Sequence, residues 1–113
     1  MHIIFEPRHP DAAGLRELAL HRVQFALRRL SWLVPRARVQ LSDVNGPRGG
    51  VDKLCQVELR TPHGVVVTSS RAGAWRDALD LALHRAARVL ARSLASRRQP
   101  LRGTRGTPAL PQS

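Results

Sequence analysis

Acidic residues, aromatic residues and cysteine are scarce in this sequence, and each shortage narrows the possible functions. Eight Asp and Glu stand against 19 Lys and Arg, so the formal net charge is +11. Such an excess favours a polyanionic partner, with nucleic acid first and an anionic membrane second. The aromatic residues are two Trp and two Phe, with no Tyr. A sheet that stacks single-stranded bases on exposed aromatic side chains is therefore poorly supported, and contact through the nucleic-acid backbone and shape fits better.

Disulfides and long apolar runs are also lacking. The single cysteine, Cys55, has no partner for an internal disulfide, and its place in a strand pattern predicts a small buried side chain. Residues 1–6 lack the charged start and the apolar run of a signal peptide, and no segment reaches the length of a transmembrane helix. We expect a soluble, cytoplasmic protein.

The residue types that carry catalysis or bind metals form no recognisable constellation. The histidines, at positions 2, 9, 21, 63 and 84, have no spacing typical of metal ligands. No nucleophile motif surrounds Asp43, Asp52, Cys55 or His63, which are the nearest candidates. We therefore predict no enzymatic activity, no metal, no cofactor and no small-molecule substrate.

Hydrophobic periodicity predicts the element order β-α-β-β-β-α. Strands are predicted at residues 2–6, 36–44, 54–60 and 65–70, and helices at about 11–31 and 74–96. The economical architecture is an α+β domain over residues 1–96, in which a four-stranded sheet carries two helices on one face. The other face stays open, with Glu58 and Arg60 on it. Residues 97–113 are basic and poor in apolar side chains, which predicts a disordered tail.

Apolar residues predict the buried face of each element. Strand alternation groups Val39 with Leu41 on one face, and Cys55 with Val57 and Leu59 on another. The stripe of the first helix consists of Leu15, Leu18, Ala19, Val23, Ala26, Leu27 and Leu30. The stripe of the second helix consists of Trp75, Ala78, Leu79, Ala82, Ala86, Val89 and Leu90. Arg22 lies within the first stripe by angle, so we expect it near a sheet edge, with its stem buried and its head in water.

Positive charge is concentrated in the second half of the chain, where no acidic residue follows Asp80. Helical spacing groups the arginines of each helix on one face: Arg85, Arg88 and Arg92 on the second, and Arg22 and Arg29 on the first. If the helices pack side by side, both sets border a common groove. The planar guanidinium binds phosphate bidentately and stacks on bases, so we predict contact with RNA or DNA. A basic amphipathic helix also binds membranes, but here the core needs the apolar stripe.

A glycine-rich loop with mixed charge joins the second and third predicted strands. It reads LSDVNGPRGGVDK over residues 41–53 and is followed by CQVEL. The last helix carries Ala78-Leu79-Asp80 and then the three basic positions. Over about residues 1–96 the sequence resembles the family of ribosome hibernation-promoting factors and ribosome-associated inhibitors. It is most similar to a short bacterial subgroup with the loop S-D-x-N-G-x-x-G-G-x-D-K.

The resemblance implies a fold similar to double-stranded-RNA-binding domains. It also implies a site on the small ribosomal subunit, in the channel of messenger and transfer RNA, whose occupation blocks translation under stress or in stationary phase. The matching RNA-facing positions are Arg85, Arg88 and Arg92, to which we add Arg48 and Lys53 from the loop. Of the acidic residue and the aromatic residue before the family's last helix, only the aromatic remains, as Trp75. The C-terminal dimerisation domain of the long form has no counterpart here.

Three alternatives remain open at the level of the sequence. The first is a module that binds structured RNA in general, without preference for the ribosome. The second is a protein-interaction module that docks through the loop at residues 42–53. The third is an enzyme acting on nucleic acid, for which Asp43 or Asp52 would have to matter to turnover.

Overall fold

A four-stranded mixed sheet carries two helices on one face, as the sequence predicts. The computed structural model describes residues 1–44 and 53–97, with side chains to Ala95. The strands are β1 (His2–Pro7), β2 (Arg36–Asp43), β3 (Lys53–Thr61) and β4 (Gly64–Ala72). The helices are α1 (Arg16–Ala26) and α2 (Trp75–Arg97), and 3-10 turns lie at Pro10–Leu15 and Ser31–Leu33. The predicted α+β class and element order are confirmed.

Strand order follows chain order, β1-β2-β3-β4, with one parallel pair. β1 runs parallel to β2, and the other two pairs are antiparallel. Phe5 lies opposite Val39, which lies opposite Val57. Because side chains alternate across a strand, this register aligns one apolar row over several strands beneath the helices. The strand residues fully buried there are Ala37, Val39, Leu41, Cys55, Val57 and Leu59.

The predicted first helix is divided into three pieces. Pro10 opens a 3-10 turn in which the backbone N–H of Asp11 donates to His9 Nδ1 at 3.0 Å. α1 then ends at Ala26, and the chain turns through buried Leu27 and Leu33 before β2. A parallel strand pair requires a crossover, and these apolar residues bind the crossover to the core.

The buried face of α2 differs from the predicted stripe at two positions. Leu83 is 2% exposed, although the stripe omitted it, and Val89, which the stripe included, is 40% exposed. The two side chains lie about 120° apart around the helix, at about 100° per residue. α1 packs on the flank that carries Leu83, where Leu83 lines the contact together with Arg22 and Ala26. Leu83 thus lies on the flank of α2 that faces the neighbouring helix.

Arg22 also differs from its predicted place. It lies between the helices, and its Nη1 is 2.7 Å from Asp80 Oδ2 on α2. The guanidinium therefore reaches an acidic partner instead of water at a sheet edge.

None of the described helices combines the length and the hydropathy that a membrane-spanning segment needs.

Candidate nucleic-acid interface

A groove between α1 and α2 collects much of the exposed positive charge. It has two adjoining segments with volumes of about 340 Å³ and 440 Å³, which share Ala26, Arg28, His84 and Ala87. Small alanine side chains from both helices form its floor, so the groove stays open although the helices are in contact. The shape results from helix packing and needs no loop to complete it.

The groove is lined by cations from both helices. Arg28 and Arg29 come from the turn after α1, and Arg88 comes from α2. Of the described residues, Asp80 is the one carboxylate that lines the two segments, and it is already paired with Arg22. The structure therefore brings Arg22, Arg29 and Arg88 to one groove, as the packing hypothesis expected. Arg29 and Arg88 have no acidic neighbour in the groove among the described residues, so they are available to an anion.

The other two arginines of the α2 set lie outside the groove lining. Arg85 Nη1 donates to the backbone oxygen of Ser69 on β4 at 3.0 Å, so its guanidinium is directed toward the edge of the sheet. Arg92 is exposed and has no ion pair with a described residue. The three α2 arginines thus form a basic surface that extends from the groove, at Arg88, to the β4 edge, at Arg85. We call it the α2 arginine face.

Lys53 lies at the base of the glycine-rich loop, in a cluster with three other side chains. Its Nζ is 2.9 Å from Asp43 Oδ2 and 5.3 Å from the centroid of the Trp75 ring. His9 adds a ring contact to Trp75 at 5.9 Å between centroids, and its Nε2 is 3.9 Å from Asp43 Oδ2. The Asp43 side chain is only 4% exposed, so this cluster ties both ends of the loop to the core. Arg48 lies outside the described residues.

The open face of the sheet carries a second group of charges, which the sequence reasoning captured only in part. Arg60 Nη2 is 3.2 Å from Glu58 Oε2, on the face where both residues were expected. Arg38 lies between Glu58 and Glu6, at 3.8 Å and 3.7 Å. Arg36 lines a small pocket on this face together with Arg38, Glu58 and Arg60, and it makes no ion pair with a described residue. The signal was present in β2, where Arg36 and Arg38 occupy alternate positions on the polar face.

Cys55 is a free cysteine buried in the core. Burial raises the pKa of the Cys55 thiol to about 12, so the thiol stays protonated and unreactive near neutral pH. Among the residues that the structure describes, no group of three or more His, Cys, Asp or Glu is arranged to hold a metal ion.

This arrangement of strands and helices is also found in solved structures of other proteins. A ribosomal subunit interface protein from Coxiella burnetii superposes with a TM-score of 0.71, over 84% of this chain and 99% of its own, at 16% identity. The N-terminal domain of Protein Y from Thermus thermophilus superposes with a TM-score of 0.66, over 82% of this chain and 99% of its own, at 19% identity. The chain shares the fold of these two proteins. No protein-family model and no curated protein matches the sequence.

The structural match confirms the resemblance at the level of the fold, and it covers nearly the whole of each neighbour. The subgroup assignment depends on the loop at residues 42–53, most of which lies outside the described residues, and it stays a prediction. So does the assignment of individual arginines to RNA contact. The sequence reasoning missed Arg28, which lines both segments of the groove. Its position next to Arg29, at the end of the first helix, was the available signal.

Proposed function

We propose that this protein is a ribosome-associated hibernation factor, which binds the small subunit in the channel of messenger and transfer RNA and inhibits translation under stress or in stationary phase. The observation that carries the proposal is the fold, shared over 84% of the chain with a ribosomal subunit interface protein. The basic groove and the α2 arginine face support it, because they supply phosphate-binding groups on one helical surface.

The proposed mechanism is steric and electrostatic. No acidic residue follows Asp80, so the C-terminal half of α2 presents Arg85, Arg88 and Arg92 without a countercharge of its own. Guanidinium groups hold phosphate in a fixed geometry, and each neutralised phosphate releases counterions. A small basic domain held in this way occupies space that messenger and transfer RNA need. No catalytic step, cofactor or small-molecule substrate enters the mechanism.

Residues 97–113 extend the basic surface in this proposal. We propose that the folded, ribosome-binding unit is 1–96 and that the tail adds further phosphate contacts through its arginines. Those tail residues are Arg97, Arg98, Arg102 and Arg105. The site residues proposed for RNA contact are Arg22, Arg29, Arg48, Lys53, Arg85, Arg88 and Arg92.

The decisive experiment is sucrose-gradient cosedimentation of the purified protein with ribosomes and with separated subunits. We expect the protein to migrate with the small subunit at low salt and to be displaced by messenger and transfer RNA added together. An excess of duplex RNA serves as the control for general RNA binding. If duplex RNA displaces the protein as effectively as messenger and transfer RNA do, the protein binds structured RNA in general and the proposal is wrong. Binding that survives nuclease treatment and high salt would instead favour protein docking through the loop at 42–53.

A further inference from the structure

Phe25 is an exposed aromatic side chain in a position that the core does not explain. It lies on α1, it is 62% exposed, and it lines the groove between the helices. A solvent-facing helix position is usually polar, and a single exposed apolar residue needs no explanation. Here the ring lines a concave, positively charged groove, which is the setting in which proteins stack nucleic-acid bases on aromatic rings.

Arg28 lies over one face of this ring. Its Cζ is 4.3 Å from the centroid of Phe25, and its Nη1 donates to the backbone oxygen of Phe25 at 2.8 Å. The hydrogen bond holds the guanidinium in place, while the residue as a whole remains exposed. Guanidinium planes and aromatic rings both stack on bases, so the stacked pair offers a platform for a base at one wall of the groove.

The remaining walls suit a nucleotide. The segment next to Phe25 has a volume of about 340 Å³, at the lower end of the range for small-molecule sites, and Ala87 and Leu83 form its apolar floor. His84 stands on the α2 side of both segments and brings a hydrogen-bonding edge. Arg29 and Arg88 line the adjoining segment, where the phosphate that follows the base along a strand would lie.

We propose that this groove binds one unpaired nucleotide of an RNA strand, with its base stacked on Phe25 and Arg28 and its phosphate held by Arg29 and Arg88. The proposal rests on the proposed function, in that RNA is the partner. The charge of the groove and its one flat apolar wall identify the occupant. A base inside a duplex is already stacked on its neighbours, so only a bulged or looped nucleotide reaches the groove.

Two fluorescein-labelled RNA hairpins test the proposal by anisotropy at fixed salt. They share one stem, and one of them carries a single-nucleotide bulge. We expect the wild-type protein to bind the bulged hairpin about tenfold more tightly, on the order of the effect of one stacked base. Phe25→Leu keeps an apolar side chain without a ring. It should lower the ratio of the affinities for the bulged and unbulged hairpins to about one, and it should leave the affinity for the unbulged hairpin within about twofold of the wild-type value. Circular dichroism verifies that this surface variant is folded.

Trp32→Leu is the matched control. Trp32 is 69% exposed, lies outside the groove lining, and donates its indole N–H to the Arg29 oxygen at 3.1 Å. This variant should retain the tenfold preference. Equal loss in both variants would assign stacking to exposed aromatic residues in general and overturn the groove site. Equal binding of both hairpins by the wild-type protein would overturn it as well.

A third arm separates a strand nucleotide from a free one. Adenosine monophosphate should compete poorly with the bulged hairpin, and competition at the concentration of the RNA itself would reassign the groove to free nucleotides. Ribosome cosedimentation of the wild type and Phe25→Leu accompanies the hairpin assay. Ribosome binding without a bulge preference removes this inference alone, whereas a bulge preference without ribosome binding removes the proposed function and leaves the groove site standing.

Discussion

At the scale of single residues, the arginines of this protein differ in the partners that their guanidinium groups already bind. Arg22 is paired with Asp80, Arg85 is bonded to a backbone oxygen, and Arg88 lines a groove and has no acidic partner in the described part of the chain. From their charge alone, the sequence predicted the same role in RNA contact for all three residues. Their contacts give them different roles, because an engaged guanidinium must exchange a partner before it can bind phosphate.

The α2 arginine face provides the first prediction. Replacing Arg85, Arg88 and Arg92 together by alanine should weaken ribosome binding by at least tenfold at moderate salt, because three phosphate contacts are lost. Cosedimentation and anisotropy measure the change. The control triple Arg16→Ala, Arg36→Ala and Arg71→Ala removes the same charge from exposed positions elsewhere and should cost much less. Equal losses in the two triples would reduce the role of α2 to net charge.

The pair between Arg22 and Asp80 provides the second prediction. Asp80→Asn should increase affinity for RNA by a few-fold, because it removes the carboxylate from the groove and frees Arg22 for phosphate. The free energy of unfolding should fall by less than about 1 kcal/mol, since both side chains are partly exposed. Urea unfolding and anisotropy give the two quantities. Asp77→Asn, also on α2 but outside the groove lining, is the control, and an equal gain there would contradict a local effect.

At the scale of elements, helix-to-helix packing decides which residues of α2 are buried. Strand alternation predicted the sheet face well, since Cys55, Val57 and Leu59 are all fully buried. The helix stripe was less accurate, because the sheet covers one side of α2 and α1 covers one flank. Periodicity within a helix locates the mean direction of the core, but a second helix on one flank shifts that direction.

The corrected core of α2 is open to a direct test. Leu83→Ala should lower the free energy of unfolding by about 2–5 kcal/mol, because it leaves a cavity between the helices. Val89→Ala should change it by less than about 0.5 kcal/mol, because Val89 is exposed and alanine favours the helix. Urea denaturation of both variants measures the contrast. Similar losses of unfolding free energy in the two variants would indicate that Val89 is part of the core.

At the scale of the whole molecule, a +11 net charge makes binding dependent on ionic strength. Among the described residues, the core and the side chains packed against it lie between Ile3 and Leu94, so we expect the charged tail to be separable from the residues that stabilise the fold. This separation allows affinity and stability to be changed independently.

Truncation after Arg97 tests that separation. The shortened chain lacks Arg98, Arg102 and Arg105. The slope of log affinity for RNA against log salt concentration should decrease in magnitude by about 2–3, because about one counterion per lost phosphate contact is no longer released. The melting temperature should stay unchanged in the same preparations. An unchanged salt slope would remove the tail from the binding surface.

The sequence by itself determined the elements, their order and the faces of the strands, because each depends on neighbours two to four residues apart. It also determined where positive charge accumulates. Tertiary structure alone decided the parallel pairing of β1 with β2, the burial of Leu83, and the groove whose two segments Phe25 and Arg88 line. It also decided the pairing of Arg22 with Asp80, which are 58 positions apart. Such contacts depend on how one helix lies beside another, and no periodicity within a single helix encodes that arrangement.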